Sequence, residues 1–168
     1  DFFRTGSAQL RPTALGPLLT EVVDAHRRRA DAQGVQLACH VPEGLPAVLV
    51  DAVQISVVLR NLVANALDAA CAGAGPREVE VRVAVREAAL QVEVIDSGPG
   101  ITAARLQTLF EPGPSDKPGG MGIGLSICRA IVEAHGGVLG AEVGTPGRFS
   151  LTLPLGGTGS TAGGRDAP

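Results

Sequence analysis

A single long helical segment, predicted over residues 51–72, most constrains what this chain can fold into. Asp51 is a favourable N-cap, and Gly73, with Gly75 and Pro76 close behind it, ends the helical pattern. An apolar stripe of this length is stable in water only when a sheet or other helices cover it. The stripe consists of Val53, Val57, Val58, Leu62, Leu67 and Ala70.

The segments around this helix alternate between helical and strand patterns. Further helices are predicted over residues 15–33, ended by Gly34, over residues 102–110 with Thr102 as N-cap, and over residues 125–135. Strands are predicted over residues 35–41, 79–86, 90–96, 138–143 and 148–154. These elements predict a two-layer α/β (α+β) sandwich, in which about three helices cover one face of a mixed sheet of about five strands.

The composition of the two ends differs from that of the middle. Residues 1–12 are predicted to be a lead-in that continues from a preceding helix, and residues 13–155 are predicted to be the domain itself. Residues 156–168, with the sequence GGTGSTAGGRDAP, are predicted to be a flexible tail. Between residues 111 and 124 the chain is rich in Gly, Pro and Ser, which is typical of a mobile loop.

Composition and charge exclude several classes of function. The net charge is −3, and the densest basic cluster, Arg27 to Arg29, lies within a helical pattern, so we expect no nucleic-acid partner. No apolar run of about 18 residues is present, so no membrane contact is expected. The three cysteines lack the spacing of a metal site and are interpreted as reduced thiols of a cytoplasmic protein.

Two asparagines on the long helix are candidate ligand-binding residues. Asn61 and Asn65 are four residues apart, so they share one face of a helix that is otherwise strongly apolar. Amides at such positions need either hydrogen-bond partners within the protein or a bound ligand. Because amide oxygens suit Mg²⁺, a magnesium site is one of the two interpretations, and a pair of structural amides is the other.

A carboxylate followed by a glycine turn is the second candidate. Asp96 ends an apolar strand and is followed by the sequence SGPG, in which Gly98 and Gly100 permit close backbone approach or a positive φ. A partly buried carboxylate can accept a hydrogen bond from the exocyclic amine of adenine, whereas guanine presents an oxygen at that place. Taken alone, the pattern is also that of an ordinary turn after a strand.

The third candidate is the glycine-rich sequence GGMGIGLS, residues 119–126, directly before a predicted helix. Glycines let backbone N–H groups approach an anion, and the N-terminus of a helix adds the positive end of its dipole. The sequence lacks the G-K-[ST] ending of a Walker A loop. It also lacks the preceding strand of a dinucleotide-binding fingerprint. Alone, it is equally compatible with a flexible linker.

The order and spacing of the three segments resemble one family. The chain is similar to the catalytic and ATP-binding domain of sensor histidine kinases, in the GHKL superfamily of ATPases and kinases, and most of all to kinases of the nitrogen-regulation and dicarboxylate-sensing type. The matching segments are LRNLVANALDAA at residues 59–70, DSGPG at 96–100, LFEP at 109–112, GGMGIGLSI at 119–127, EAHGG at 133–137 and GTPGRFSLTLP at 144–154. The resemblance covers residues 15–155 and implies the Bergerat ATP-binding fold.

The resemblance also implies roles for individual residues. Asn65 would hold Mg²⁺ with support from Asn61, Asp96 would bind the adenine amine, and Lys117 would reach the γ-phosphate from a lid formed by residues 111–121. Asn61, Asn65 and Lys117 are therefore the predicted catalytic residues. The other predicted nucleotide-binding residues are Gly98, Gly100, Ile101, Gly120, Met121, Gly122, Ile123, Gly124 and Leu125.

The resemblance further implies that the phosphate acceptor lies on another domain. None of the three histidines, His26, His40 and His135, has an acceptor context, so an upstream dimerisation domain would supply that histidine and a response regulator would act downstream. Two alternatives stay open: a degenerate module that binds ATP without phosphotransfer, and an ATPase of the gyrase, HSP90 or MutL branch. That branch places a glutamate where this chain has Asn61, and residues 113–116 depart from the usual lid sequence.

Overall fold

A computed structural model describes residues 8–112 and 124–155 of the chain. Its main sheet has five strands, in the spatial order β2 (Gln36–His40), β4 (Glu78–Arg86), β5 (Ala89–Asp96), β7 (Gly147–Pro154) and β6 (Val138–Ala141). β2 and β4 are parallel, and the other neighbours are antiparallel. The prediction of a mixed sheet of about five strands is therefore confirmed.

One face of this sheet is apolar and the other is polar, because side chains alternate along each strand. On β4, Val79, Val81 and Val83 are buried, while Glu80 and Arg82 between them are accessible to solvent. On β7, Phe149 and Leu151 continue the apolar face. A sheet with this alternation is covered on one side only.

Helices cover the apolar face. α1 (Leu15–Ala25), α3 (Ala52–Ala72) and α5 (Leu125–Ala134) each contribute buried side chains to one core, and α3 contacts β4, β5 and β7. Two shorter helices, α2 (Arg27–Gln33) and α4 (Ala103–Thr108), complete the helical elements of the described ranges. The arrangement is the predicted two-layer sandwich.

α3 is the central element of the core. Asp51 caps it as predicted, since its Oδ1 accepts a hydrogen bond from the backbone N–H of Gln54 over 3.1 Å. By length and composition alone α3 is apolar enough to cross a membrane. Its buried residues, however, pack against α1, α5 and the sheet, and this packing accounts for its apolar character.

Two local features differ from the predictions. The helix predicted over residues 15–33 is divided at His26, whose backbone N–H bonds to Val23 over 2.9 Å and whose ring bonds to the carbonyl oxygen of Val22. A second sheet, which was not predicted, pairs β1 (Arg11–Thr13) with β3 (Val48–Val50). Residues 11 and 12, assigned to the lead-in, thus lie in a strand, and the domain boundary at residue 13 stays a prediction.

Candidate functional site

Asp96 lies at the end of β5 with its carboxylate inside the protein. Its side chain is 4% exposed, and the residues beside it in the sheet are Val79 and Gly147. Oδ1 accepts a hydrogen bond from the backbone N–H of Gly98 over 2.8 Å. Burial raises the pKa of Asp96 above its ordinary value, and the hydrogen bond from Gly98 opposes this only in part. The site therefore presents a buried acceptor with capacity for a further donor.

Gly147 is required for the space around this carboxylate. A Cβ atom at Gly147 would lie 2.5 Å from Oδ2 and 2.7 Å from Oδ1 of Asp96. Both distances are well inside van der Waals contact, so any side chain would displace the carboxylate. Gly147 was not among the predicted site residues, although it lies within the segment GTPGRFSLTLP that carries part of the family resemblance.

The two glycines after Asp96 have structural roles that differ from each other. A Cβ atom at Gly98 would lie 2.3 Å from the carbonyl oxygen of Ala69, so Gly98 lets the turn pack directly on the backbone of α3. Gly100 has φ +86°, and a Cβ atom there would lie 2.3 Å from the carbonyl oxygen of Gly144. The predicted contact of these glycines with a ligand stays a prediction.

Hydrogen bonds on both sides hold this turn in place. The hydroxyl of Ser97 accepts from the N–H of Glu78 over 2.8 Å, and the N–H of Ser97 donates to the carbonyl oxygen of Glu78 over 3.0 Å. Ile101 exchanges two backbone hydrogen bonds with Gly144, of 3.0 and 2.8 Å. Ile101 is thus buried and joined to Gly144, and its predicted contact with a nucleotide stays a prediction.

Asn61 and Asn65 lie on α3, on the side of the helix that continues to Ala69 and the turn at residues 97–100. Both are half-buried, and the side-chain N–H of Asn61 donates weakly to the carbonyl oxygen of Val57 over 3.5 Å. Ala69, which packs on Gly98, is one further helical turn along the same face. At 1.5 Å per residue, Asn65 is about 6 Å and Asn61 about 12 Å from that contact along the helix axis. The structure therefore brings the asparagines and Asp96 to one side of the domain.

The start of α5 lies at about the level of Asn61 along α3. The backbone N–H of Asp51, at the start of α3, donates over 3.1 Å to Nε2 of His135, at the end of α5, so the two packed helices run in opposite directions. Ten residues of helix rise about 15 Å, which brings Leu125 to the level of Asn61. Among the described residues no side chain caps this helix start, where Gly124 is the N-cap and its carbonyl oxygen accepts from the N–H groups of Ile127 and Cys128 over 3.2 Å. The N-terminus of a helix can bind an anion through the N–H groups that precede these two.

Five of the predicted site residues lie outside the described residues. They are Lys117, Gly120, Met121, Gly122 and Ile123. Gly124 and Leu125, the other two predicted site residues of the glycine-rich segment, are described and lie at the start of α5.

The donor set of the site suits a metal that is held together with a ligand. Within residues 8–112 and 124–155, no group of three or more His, Cys, Asp or Glu side chains is placed to hold a metal ion. Amide oxygens, such as that of Asn65, and oxygens of a phosphate ligand are of the kind that a hard cation binds. Mg²⁺ commonly takes few protein ligands and completes its coordination with substrate phosphates and waters.

Two cavities lie away from these residues. One of about 570 Å³ is lined by residues 39–42 and by outward parts of β4 and β5. The other, of about 760 Å³, lies between the start of α1 and residues 41–45. Neither cavity is lined by Asp96, Asn61 or Asn65, and neither is lined by a buried charged group. The region around Asp96 is therefore the better candidate for a functional site, because a buried ionisable group is more often functional.

A known protein family matches the part of the chain that contains Asn61, Asn65 and Asp96. A family model for histidine kinase-, DNA gyrase B-, and HSP90-like ATPases matches residues 50–157, which is more than half of the chain. The chain is 39% identical over 160 residues to the C4-dicarboxylate transport sensor protein DctS of Rhodobacter capsulatus. That alignment covers 92% of this chain and 24% of the relative, so the chain spans about a quarter of the relative's length.

The fold is also similar to that of solved structures, among them a histidine kinase catalytic domain. The catalytic domain of histidine kinase ThkA, in a nucleotide-free form, has a TM-score of 0.78 at 27% identity, over 88% of this chain and 96% of that one. Full-length ShkA, solved in complex with AMPPNP, has a TM-score of 0.76 at 27% identity, over 89% of this chain and 32% of that one.

Proposed function

Because this chain belongs to the family of histidine kinase-, DNA gyrase B- and HSP90-like ATPases, as a catalytic domain of the sensor histidine kinase type, we propose that it binds ATP with Mg²⁺ and transfers the γ-phosphate to a histidine of another domain. The observation that carries this proposal is the buried carboxylate of Asp96, with its described donor at Gly98 and open space maintained by Gly147.

Asp96 would select adenine over guanine. Its carboxylate can accept the hydrogen bond that the exocyclic amine of adenine donates. Guanine has a carbonyl oxygen at the corresponding position, and two facing acceptors in a buried site repel each other. A site built around a buried polar group rejects such a mismatch strongly. The AMPPNP complex of the related structure supports an adenine nucleotide as the ligand of this fold.

The phosphates would extend from Asp96 along α3 toward the start of α5. Asn65 would hold Mg²⁺ through its amide oxygen, and Asn61 would support the metal or the phosphates. The N–H groups at the start of α5 would bind phosphate oxygens, with Gly124 as N-cap and Leu125 in the first turn. Mg²⁺, when bound, neutralises the charge that develops on the phosphates during transfer. Lys117 would add a positive charge at the γ-phosphate.

This donor set favours phosphotransfer over hydrolysis. An ATPase of the gyrase or HSP90 branch needs a carboxylate that activates water, and the resemblance places that residue at position 61. Asn61 is an amide, which cannot serve as a general base. The chain is therefore expected to present ATP to an acceptor, with positioning and charge neutralisation as its contribution.

The acceptor and the partners belong to the rest of the protein. We propose that an upstream dimerisation domain carries the acceptor histidine and that a response regulator receives the phosphate in a later step. The chain would act in the cytoplasm, whether or not the whole protein is attached to a membrane.

Calorimetric titration tests the nucleotide site, because the chain has no Trp or Tyr to report binding by fluorescence. Wild type is expected to bind ATP–Mg²⁺ in the micromolar range, about −8 kcal/mol, and to show no binding of GTP–Mg²⁺. Asp96→Asn and Gly147→Ala are expected to lose at least about tenfold in ATP affinity, which corresponds to about 1.4 kcal/mol.

Gly140→Ala is the matched control for Gly147→Ala, since a Cβ atom at Gly140 in the neighbouring strand would meet nothing within 4 Å. Equal ATP affinity in the folded Gly147→Ala variant would contradict the adenine site. Transfer itself is tested by mixing the chain with a dimerisation domain from a related kinase. Acid-labile phosphate on that domain is expected, and ATP binding without any transfer would favour the ATP-sensing module instead.

A further inference from the structure

His135 is a buried side chain that has no part in the proposed reaction. It is 7% exposed and lies at the C-terminal end of α5. Its Nδ1 is 2.8 Å from the carbonyl oxygen of Ile131, and its Nε2 is 3.1 Å from the backbone N of Asp51. The first contact requires a proton on Nδ1 and the second requires a lone pair on Nε2, so both agree with the same neutral tautomer.

Asp51 connects this histidine to two further elements. Its Oδ1 accepts from the backbone N–H of Gln54 over 3.1 Å, which caps α3. Its Oδ2 accepts from the backbone N–H of Gln9 over 2.9 Å, which ties down the residues that lead into β1. These bonds, that from Gln9 most of all, lower the pKa of Asp51 below its ordinary value. We call Asp51, His135 and the N–H of Gln9 the Asp51–His135 junction.

The junction joins the segment at Gln9, directly before β1, to both helices of the proposed nucleotide site. α3 carries Asn61 and Asn65, and the start of α5 would bind phosphates. Because a helix behaves as a rigid rod over ten residues, the anchoring of α5 at His135 constrains where its opposite end lies. β1, which follows Gln9, is held against β3 immediately before α3 begins.

We propose that His135 and Asp51 are positioning residues: they hold α5 and α3 in the relative placement that nucleotide binding requires, and they couple that placement to the seating of β1. This inference rests on the proposed function. Coupling between two sites is reciprocal, so a nucleotide that bridges α3 and α5 must also stabilise β1, and loss of the junction must weaken nucleotide binding.

The test combines calorimetry with amide hydrogen exchange on the full 168-residue chain. In the wild type, saturation with ATP–Mg²⁺ is expected to slow exchange of the Gln9 and Thr13 amides by about fivefold, the lower end of typical coupling between sites. In His135→Ala, the affinity for ATP–Mg²⁺ is expected to fall by about fivefold and the slowing of exchange to disappear. His135→Gln is expected to restore much of both, since its side-chain oxygen can accept from the N–H of Asp51.

The variant Asp51→Asn distinguishes the bond to Gln9 from the bond that caps α3. Asparagine caps α3 as well as aspartate does, but its amide group cannot accept from Gln9 while its oxygen caps Gln54. The variant is expected to remain folded, to bind ATP–Mg²⁺ more weakly than wild type, and to lose the effect of ATP on the exchange of the Gln9 amide. Val53→Ala, an exposed position in the first turn of α3, is the control and should behave as wild type.

The outcomes separate the inference from the proposed function. Wild-type affinity for ATP in a folded His135→Ala or Asp51→Asn variant, together with an unchanged response of the Gln9 amide, would overturn the junction alone. A lowered melting temperature with that response intact would reduce the junction to a purely structural contact and would also overturn it. Failure of the wild type to bind ATP would overturn both proposals. Should His135→Ala not fold, the Asp51→Asn measurement decides.

Discussion

At the scale of single residues, the main feature of the candidate site is the carboxylate of Asp96, whose charged form is destabilised by burial. Asp96 is buried beside backbone atoms, and its one described hydrogen-bond donor is the N–H of Gly98. Asp51, by contrast, accepts hydrogen bonds from the backbone N–H groups of Gln9 and Gln54. These bonds stabilise its carboxylate form and lower its pKa. The two side chains are chemically identical, so their surroundings alone make one a capping group and the other a candidate ligand-binding group.

The pH dependence of stability should reveal this difference. Burial raises the folded-state pKa of Asp96 above its ordinary value of 3.8, so the folded state retains the proton after the unfolded chain has lost it. Its contribution to stability is present below that value and is lost as pH rises through the folded-state pKa. Asp96→Asn should therefore match wild type at acidic pH and exceed its free energy of unfolding by on the order of 1 kcal/mol at pH 7.

Urea denaturation followed by far-ultraviolet circular dichroism between pH 4 and pH 8 measures this difference. Asp51→Asn provides the opposite sign, because the pKa of Asp51 is lowered and its stabilisation is lost only as pH falls. A difference between Asp96→Asn and wild type that does not change with pH would contradict the burial argument.

At the scale of elements, capping residues in the sequence predicted where two helices begin, but nothing in the sequence predicted where one helix is divided. The start of α3 at Asp51 and of α4 at Thr102 were predicted from residues whose side chains accept the expected backbone hydrogen bonds. The division between α1 and α2 at His26 has no Gly or Pro to signal it. At this position the ring of His26 is hydrogen-bonded to the carbonyl oxygen of Val22.

Removal of the α4 cap should have a local effect only. The hydroxyl of Thr102 accepts from the N–H of Arg105 over 3.0 Å, and none of the residues of α4 is buried. Thr102→Ala should cost about 1 kcal/mol within α4 and accelerate exchange of the Arg105 and Leu106 amides by about fivefold. The midpoint of global unfolding should barely change, because α4 adds little to the core.

Thr108→Ala is the matched control, since it removes a hydroxyl from the same helix without removing its cap. A fall in the global midpoint as large as that of a core substitution would show that α4 is not an independent local unit.

At the scale of the whole molecule, one aliphatic core joins α1, α3, α5 and the sheet. Its fully buried members are leucine, isoleucine, valine, alanine and cysteine, and Phe149 is the aromatic residue among the buried ones that the structure describes. α3 lies at its centre and also carries both asparagines of the site. Site geometry and global stability therefore depend on the same helix.

Leu62→Ala should destabilise the entire domain. Leu62 is fully buried between the two asparagines in sequence, and its truncation leaves a cavity in the core. The expected loss is about 3–5 kcal/mol, a large part of the roughly 5–15 kcal/mol that stabilises a domain. Chemical denaturation measures it, with the exposed Val53→Ala as a control that should stay within about 0.5 kcal/mol of wild type. A loss below about 1 kcal/mol would contradict the central place of α3 in the core.

The sequence by itself determined the strands of the main sheet, the helices α3, α4 and α5, the caps of α3 and α4, and the family, because these depend on periodicity, capping chemistry and motif spacing along the chain. The candidate site was likewise predicted at Asp96, Asn61 and Asn65, since a polar residue within an apolar pattern is visible in the sequence itself.

Only the tertiary structure decided what surrounds those residues. The pairing of β1 with β3, the close approach of Gly147 to Asp96 and the bond between Asp51 and His135 each join segments that are distant in sequence. No local pattern encodes such contacts, because they arise when packing of the core brings separate elements together. The chemistry of the site is therefore readable from its residues, whereas its geometry is a property of the folded chain.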